Sequence, residues 1–202
     1  MLYKILNIHE VNTDDIIHQI SEERLKKASA SKQEETFLRS VCVEYLLNSM
    51  AKELFMNRSD KSFSLSFPLK LTYDSHQKPH ILSPGGDDLF FFSLSHSGDY
   101  VACVISDKPC GIDIEQHKNK PYHKLIPKIC TEKEALEIHS IEDFYHFWTT
   151  KESLSKAIGL GLSLDFRQIE ITDRLCQYKG NQYQCTPVSA PDGYSLSICE
   201  LL

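Results

Sequence analysis

Two short stretches of this chain gather acidic side chains that could act together. In Gly111-Ile112-Asp113-Ile114-Glu115, residues two apart on an extended strand share a face, so Asp113 and Glu115 point one way and Ile112 and Ile114 the other. Two adjacent anions call for a cation. Oxygen-only donors suit magnesium, with manganese as the alternative, because such ions keep positions open for water and substrate phosphates. In Trp148 to Lys156, Glu152 and Lys156 are i, i+4 neighbours on one helix face, with Trp148 a turn earlier on the same side. Taken singly, each stretch has a plainer reading. A D-x-E strand is commonly a hydrated edge, and a Glu-Lys pair on a helix surface contributes only ~0.2–0.5 kcal/mol.

A third group is Ser93-Leu94-Ser95-His96-Ser97-Gly98, where a strand end delivers hydroxyls and an imidazole to a glycine turn able to hydrogen-bond phosphate. A Ser-His hydrolase is disfavoured, since adjacent Ser95 and His96 face opposite sides of a strand and there is no G-x-S-x-G elbow. Basic residues form the fourth group: Arg24, Lys26, Lys27, Lys32 and Arg39 early on, Lys78 before Pro79, and Lys118, Lys120, Lys124 and Lys128 in a polar connection. Most should be solvated.

The elements that must carry these residues follow from pattern. Leu2–Ile8 reads as a strand, and Asn12 or Thr13 caps a helix running toward Lys27. Ser31 with Glu34 signals a capping box for a long core helix to about Phe55. Alternation over 64–73, then β-rich runs at 89–94 and 100–105 joined by a Ser97-Gly98-Asp99 turn, predict three strands, the last two a hairpin. A short strand over 111–115 follows. Thr131 with Glu134 and Ser140 with Asp143 start helices, the second stopping near Gly159, and 166–200 reads as a meander. This order is α+β rather than a regular βαβ array.

Composition sets the outer limits. The 202 residues can bury a core as one large domain or two small ones, and 41% hydrophobic with 25% charged residues is ordinary for a globular chain. A net charge of −6 disfavours nucleic acid as a partner, so an anionic ligand must meet a metal or a local basic cluster. The seven cysteines include no C-x-x-C pair and read as reduced, mostly buried thiols. Neither a cleavable leader nor a membrane-length apolar run is apparent, which leads us to expect a cytoplasmic protein without a membrane partner.

Together the motifs resemble the surfactin-type members of the 4′-phosphopantetheinyl transferase superfamily. The resemblance rests on FFSLSHSGDYVACVISDKPCGIDIE at 91–115 and FYHFWTTKESLSKAIGLGLSL at 144–164, with weaker similarity from Ser21 to Ile171. It implies a monomer of two similar α+β halves related by a pseudo-twofold, 1–104 and 105–202, with coenzyme A and magnesium in the cleft between them. It further implies Asp113, Glu115 and Glu152 as metal ligands, Glu152 and Lys156 as catalytic residues, and Arg24, Lys27, Ser40, Lys78, Ser95, His96 and Lys156 as contacts to coenzyme A. The implied reaction moves phosphopantetheine to a serine of an apo-acyl or apo-peptidyl carrier protein and releases adenosine 3′,5′-bisphosphate. A non-catalytic coenzyme A or carrier-binding protein of the same fold is the alternative. Three departures from relatives stand out: Gln77 where glycine often precedes the Lys-Pro pair, Val43 in place of glycine, and an Arg24/Lys27 pair in place of two lysines.

Overall fold

The structure is a computed structural model that describes residues 1–56, 65–119 and 121–202. In chain order its elements are β1 (Leu2–Asn7), α1 (Thr13–Ile16), α2 (Glu22–Ser29), α3 (Glu34–Met56), β2 (Thr72–Tyr73), β3 (Pro79–His80), β4 (Phe91–Ser97), β5 (Tyr100–Ser106), β6 (Cys110–Gln116), α4 (Ile126–Ile129), α5 (Glu132–Ala135), α6 (Ile141–Ile158), β7 (Leu175–Tyr178), β8 (Asn181–Val188) and β9 (Tyr194–Leu201). Helix and strand are mixed as the pattern predicts. No helix among the described residues is long and apolar enough to cross a membrane.

Two antiparallel sheets carry the molecule, ordered β1-β5-β4 and β6-β9-β8-β7, with β2-β3 as a small ribbon. Each larger sheet is covered by one long helix. Helix α3 buries Val41, Leu47, Met50 and Ala51 in the core that contains Phe92, Val101 and Cys103 of the first sheet. Helix α6 buries Phe144, Leu154 and Ala157 in a second core with Cys185 and Cys199 of the other. Ser140 and Asp143 close a capping box at the start of α6, and Gly159 ends it with a φ of 88°, a left-handed value that glycine tolerates.

The join between the sheets positions the site. Strands β4 and β6 run alongside each other in the same direction, linked through side chains. The backbone N–H groups of Ile112, Ile114 and Gln116 donate to the hydroxyls of Ser93, Ser95 and Ser97 at 3.2, 3.3 and 3.1 Å. Alternate serines on one strand thus satisfy alternate amides on the other, so the outer edge of β6 is covered rather than left to water. On the far face of β6, α6 approaches so closely that a Cβ on Gly111 would lie 1.9 Å from the Ser153 carbonyl oxygen. Only a residue without a side chain permits that contact.

Several local expectations need correction. The early helix is broken: Ile20 is buried and extended, and Ser21 caps a new helix by accepting from the Arg24 N–H. Ser31 forms no capping box for α3, because its hydroxyl accepts from the Gln33 N–H in a turn ahead of the helix. Of the strand expected over 64–73, Ser64 lies outside the described residues and only Thr72–Tyr73 pairs. The Leu69 N–H donates instead to Asn48 Oδ1 on α3, which removes that segment from any ladder. The other strands, the β4-β5 hairpin and α6 lie where the pattern puts them, and all seven cysteines are buried and free.

Candidate active site

Asp113 and Glu115 are held by the serines of β4. Ser95 Oγ donates to Asp113 Oδ1 at 2.8 Å, and Ser97 Oγ donates to Glu115 Oε2 at 2.6 Å. Each hydroxyl therefore accepts a backbone N–H from β6 and donates to the carboxylate one residue earlier, which fixes the carboxylate's direction. Ile112 and Ile114, pointing the other way, are fully buried, and Asp113 is itself buried. That burial excludes the hydrated-edge reading.

Helix α6 brings Glu152 and Lys156 to the same place. Lys156 Nζ donates to Asp113 Oδ1 at 2.7 Å and to the carbonyl of Ile112 at 2.9 Å, and it lies 3.4 Å from the carbonyl of Leu94. Burial pushes the Glu152 carboxyl up to about 7, the charges of Asp113 and Glu115 add to this, and Lys156 opposes it. Glu115 is raised as well, first by burial, then by Asp113, against the Ser97 hydroxyl, Lys118 and Trp148. The three carboxylates thus share one electrostatic environment. Among the described residues no three His, Cys, Asp or Glu side chains form a group arranged to hold a metal ion. Two of these carboxylates nevertheless keep buried oxygens without a hydrogen-bond partner, Asp113 Oδ2 and Glu152 Oε1. Orphaned anionic oxygens of this kind suit a hard divalent cation.

Beside this cluster lie two adjoining cavities that share Leu94. One, of about 370 Å³, is lined by Arg24, Lys27, Ser40, Val43 and His96. The other, of about 220 Å³, is lined by Gln77, Lys78, Ser93 and Lys156. Four residues separated by up to 72 positions in sequence, Arg24, Lys27, Ser40 and His96, thus meet at one basic hollow. The His96 imidazole is held below its ordinary pKa, first by desolvation in the hollow and then by the charges of Arg39, Lys156 and Arg24. Arg24 and Lys27 carry the positive side chains that line the hollow.

Two of the residues expected to contact coenzyme A have partners within the protein. The Ser95 hydroxyl faces Asp113 rather than the hollow. Lys78 Nζ donates to the carbonyls of Lys156 and Ala157 at 2.8 and 3.3 Å, so it caps the end of α6. Gln77 adopts a φ of 64°, the left-handed backbone that glycine would take freely, held by the Asp74 turn whose carboxylate accepts from the Lys78 N–H at 2.8 Å. The glycine-like shape survives the substitution at a cost of roughly 1–2 kcal/mol.

Sequence reasoning missed Glu44. This buried carboxylate accepts from Ser21 N–H and Oγ and from Arg24 Nε at 2.7, 3.1 and 3.0 Å, which leaves the remaining guanidinium nitrogens for the hollow. A glutamate mid-helix among apolar residues was the available signal. Ser97 was singled out with its neighbours, but its bond to Glu115 was not, though the matched period-two spacing of Ser93, Ser95 and Ser97 against Ile112, Ile114 and Gln116 was there to read.

This chain belongs to the 4′-phosphopantetheinyl transferase superfamily, whose sequence model matches residues 109–199, the stretch carrying all three carboxylates. Within it the similarity is to the surfactin-type enzymes. The chain is 30% identical over 173 residues to 4′-phosphopantetheinyl transferase ffp of Bacillus subtilis, covering 81% of this chain and 70% of that protein. It is 29% identical over 200 residues to 4′-phosphopantetheinyl transferase Sfp of Bacillus subtilis strain 168, covering 89% and 81%. Against 4′-phosphopantetheinyl transferase gsp of Aneurinibacillus migulanus it is 33% identical over 122 residues, 54% of this chain. The match spans about half the length of that last relative, 51%.

Proposed function

We propose that this chain transfers the 4′-phosphopantetheine moiety of coenzyme A to a serine of an apo-carrier protein, in a magnesium-dependent reaction that releases adenosine 3′,5′-bisphosphate. The observation that carries this reading is Glu152, its carboxyl pushed up to about 7 beside Asp113 and Glu115, next to a hollow lined by Arg24, Lys27 and His96. Asp113, Glu115 and Glu152 would hold the ion, which when bound would neutralise them and offset charge on the diphosphate.

The chain's own groups then divide the work. Arg24 and Lys27 bind the phosphates at the nucleotide end, with Ser40 and His96 completing the hollow. Lys156 exchanges Asp113 for a phosphate oxygen and stabilises the leaving bisphosphate. Glu152 accepts the proton of the carrier serine as its Oγ attacks the phosphorus on the pantetheine side and the bond to the bisphosphate oxygen breaks. Ser95 and Lys78 act by holding Asp113 and the end of α6.

The same reading divides the chain near the end of β5 into halves of 1–104 and 105–202 related by a pseudo-twofold; one sheet and one long helix in each half support this. On this reading the protein works as a cytoplasmic monomer. The acidic carrier docks beside the basic connection from Lys118 to Lys128, whose Lys118, Lys124 and Lys128 are exposed; Lys120 lies outside the described residues.

The test is incubation with coenzyme A, magnesium and a panel of apo-carriers, read by intact mass. A phosphopantetheine mass gain that Glu152→Gln abolishes while folding is kept is the expected result. Tight coenzyme A binding with no modified carrier would instead favour the non-catalytic alternative.

A further inference from the structure

Lys151, the neighbour of Glu152, has no place in the chemistry above, yet it is fully buried. Its ammonium meets four oxygens: Glu134 Oε2 at 2.5 Å and the carbonyls of Phe166, Ile129 and Ile169 at 2.8, 3.0 and 3.1 Å. These come from three separate segments, the end of α4, the helix α5 and the 166–169 turn. Glu134 is itself fixed, since the same Oε2 accepts from the Thr131 N–H at 2.8 Å in a capping box.

A buried ion pair is a poor way to gain stability, because desolvating both charges offsets most of their attraction and an apolar pair of similar volume often does as well. What an ammonium adds over a leucine is direction. Leucine packs at a range of helix rotations, whereas an ammonium among four oxygens fixes one. Successive residues on a helix lie about 100° apart, so the rotation that seats Lys151 also sets where the Glu152 carboxylate points. The side of α6 that faces β6 and β9 is held by the Lys156–Asp113 pair, by the contact over Gly111, and by the Thr149 and Thr150 hydroxyls at 2.9 and 3.1 Å from Ser197 Oγ.

We propose that Lys151 is a positioning residue: its clasp on Glu134 and three carbonyls sets the rotation of α6 and thereby aims Glu152 at Asp113 and Glu115. This rests on the site reading above, but its test does not require turnover. The probe is Mn²⁺ alone, titrated calorimetrically into the metal-free protein. Lys151→Met by itself strands the Glu134 charge in the core and should lower Tm; Lys151→Met with Glu134→Gln removes both charges and should restore most of it. The double variant should then bind Mn²⁺ roughly 10- to 100-fold more weakly, the usual effect of losing a group that orients a ligand, with kcat lowered and the KM for coenzyme A little changed. A double variant with recovered Tm and wild-type Mn²⁺ affinity would overturn the proposal and leave Lys151 a structural residue. Should that variant fail to fold, Glu134→Asp keeps both charges and moves only the anchor; unchanged Mn²⁺ affinity there would equally overturn it. If the wild type binds Mn²⁺ but modifies no carrier, the proposed function fails while this inference stands or falls on the variants.

Discussion

Lys156 Nζ lies 2.7 Å from Asp113 Oδ1, so in the ligand-free protein the lysine expected to meet phosphate is paired with a carboxylate expected to meet metal. The two roles are compatible. A cation at the carboxylates and a phosphate near the lysine would break this pair and give each partner a better one.

Removing the lysine therefore has two consequences. Lys156→Met should lower kcat by roughly 10²-fold, as expected for losing one stabiliser of developing negative charge. It should also move Glu152, because the Lys156 charge holds that carboxyl down against burial. In the metal-free variant Glu152 should titrate above about 7, observable by carboxyl ¹³C NMR; a value at or below the wild type would contradict the arrangement.

Glu152 also ties stability to pH. Its pKa is about 7 in the fold against an ordinary value of 4.5. Between those values the folded protein binds more protons than the unfolded chain, so this group's contribution is fully present below 4.5 and is lost as pH rises through about 7. Denaturant titrations of the metal-free protein at pH 5 and pH 8 should show Glu152→Gln losing less stability over that interval than the wild type. Added Mg²⁺ should stabilise the wild type most at the higher pH, where the carboxylate is ionised.

Much of this was legible because the signals were local. The β-rich runs of β4 and β5, the two-apart spacing in β6 and the capping box of α6 each depend on a few adjacent residues, and they located Asp113, Glu115, Glu152 and Lys156 correctly on their elements. The failures are equally instructive. Ser31 had the right spacing for a cap but sat in a turn, and 64–73 had the right alternation but lost its pairing to Asn48. The roles of Ser97, Glu44 and Lys151 depend on partners 18, 20 and 17 residues away, and no local pattern reports such partners.

Gly111 shows a sequence signal whose cause is tertiary. A methyl group there would meet the Ser153 carbonyl at 1.9 Å and the Ala157 nitrogen at 2.7 Å, both backbone atoms that cannot turn aside. Gly111→Ala must push α6 away from β6, costing about 3 kcal/mol or more and drawing Glu152 off Asp113. Urea unfolding should register the loss of stability. Residual kcat should fall further than the unfolded fraction accounts for.

The proposed carrier surface can be tested apart from the chemistry. Lys124 and Lys128 are exposed and lie outside both cavities, so reversing them should leave coenzyme A binding untouched. Exposed charge pairs contribute ~0.2–1 kcal/mol each. Lys124→Glu with Lys128→Glu adds repulsion to that loss and should raise the KM for an acidic carrier about tenfold. The effect should shrink as salt approaches 0.5 M, since screening over a few ångströms removes the attraction in the wild type and the repulsion in the variant alike. Lys118 is the informative contrast. Its charge also acts on Glu115, so Lys118→Glu should change kcat as well as carrier KM, and a variant in which only carrier KM moved would separate the docking surface from the site more sharply than the fold implies.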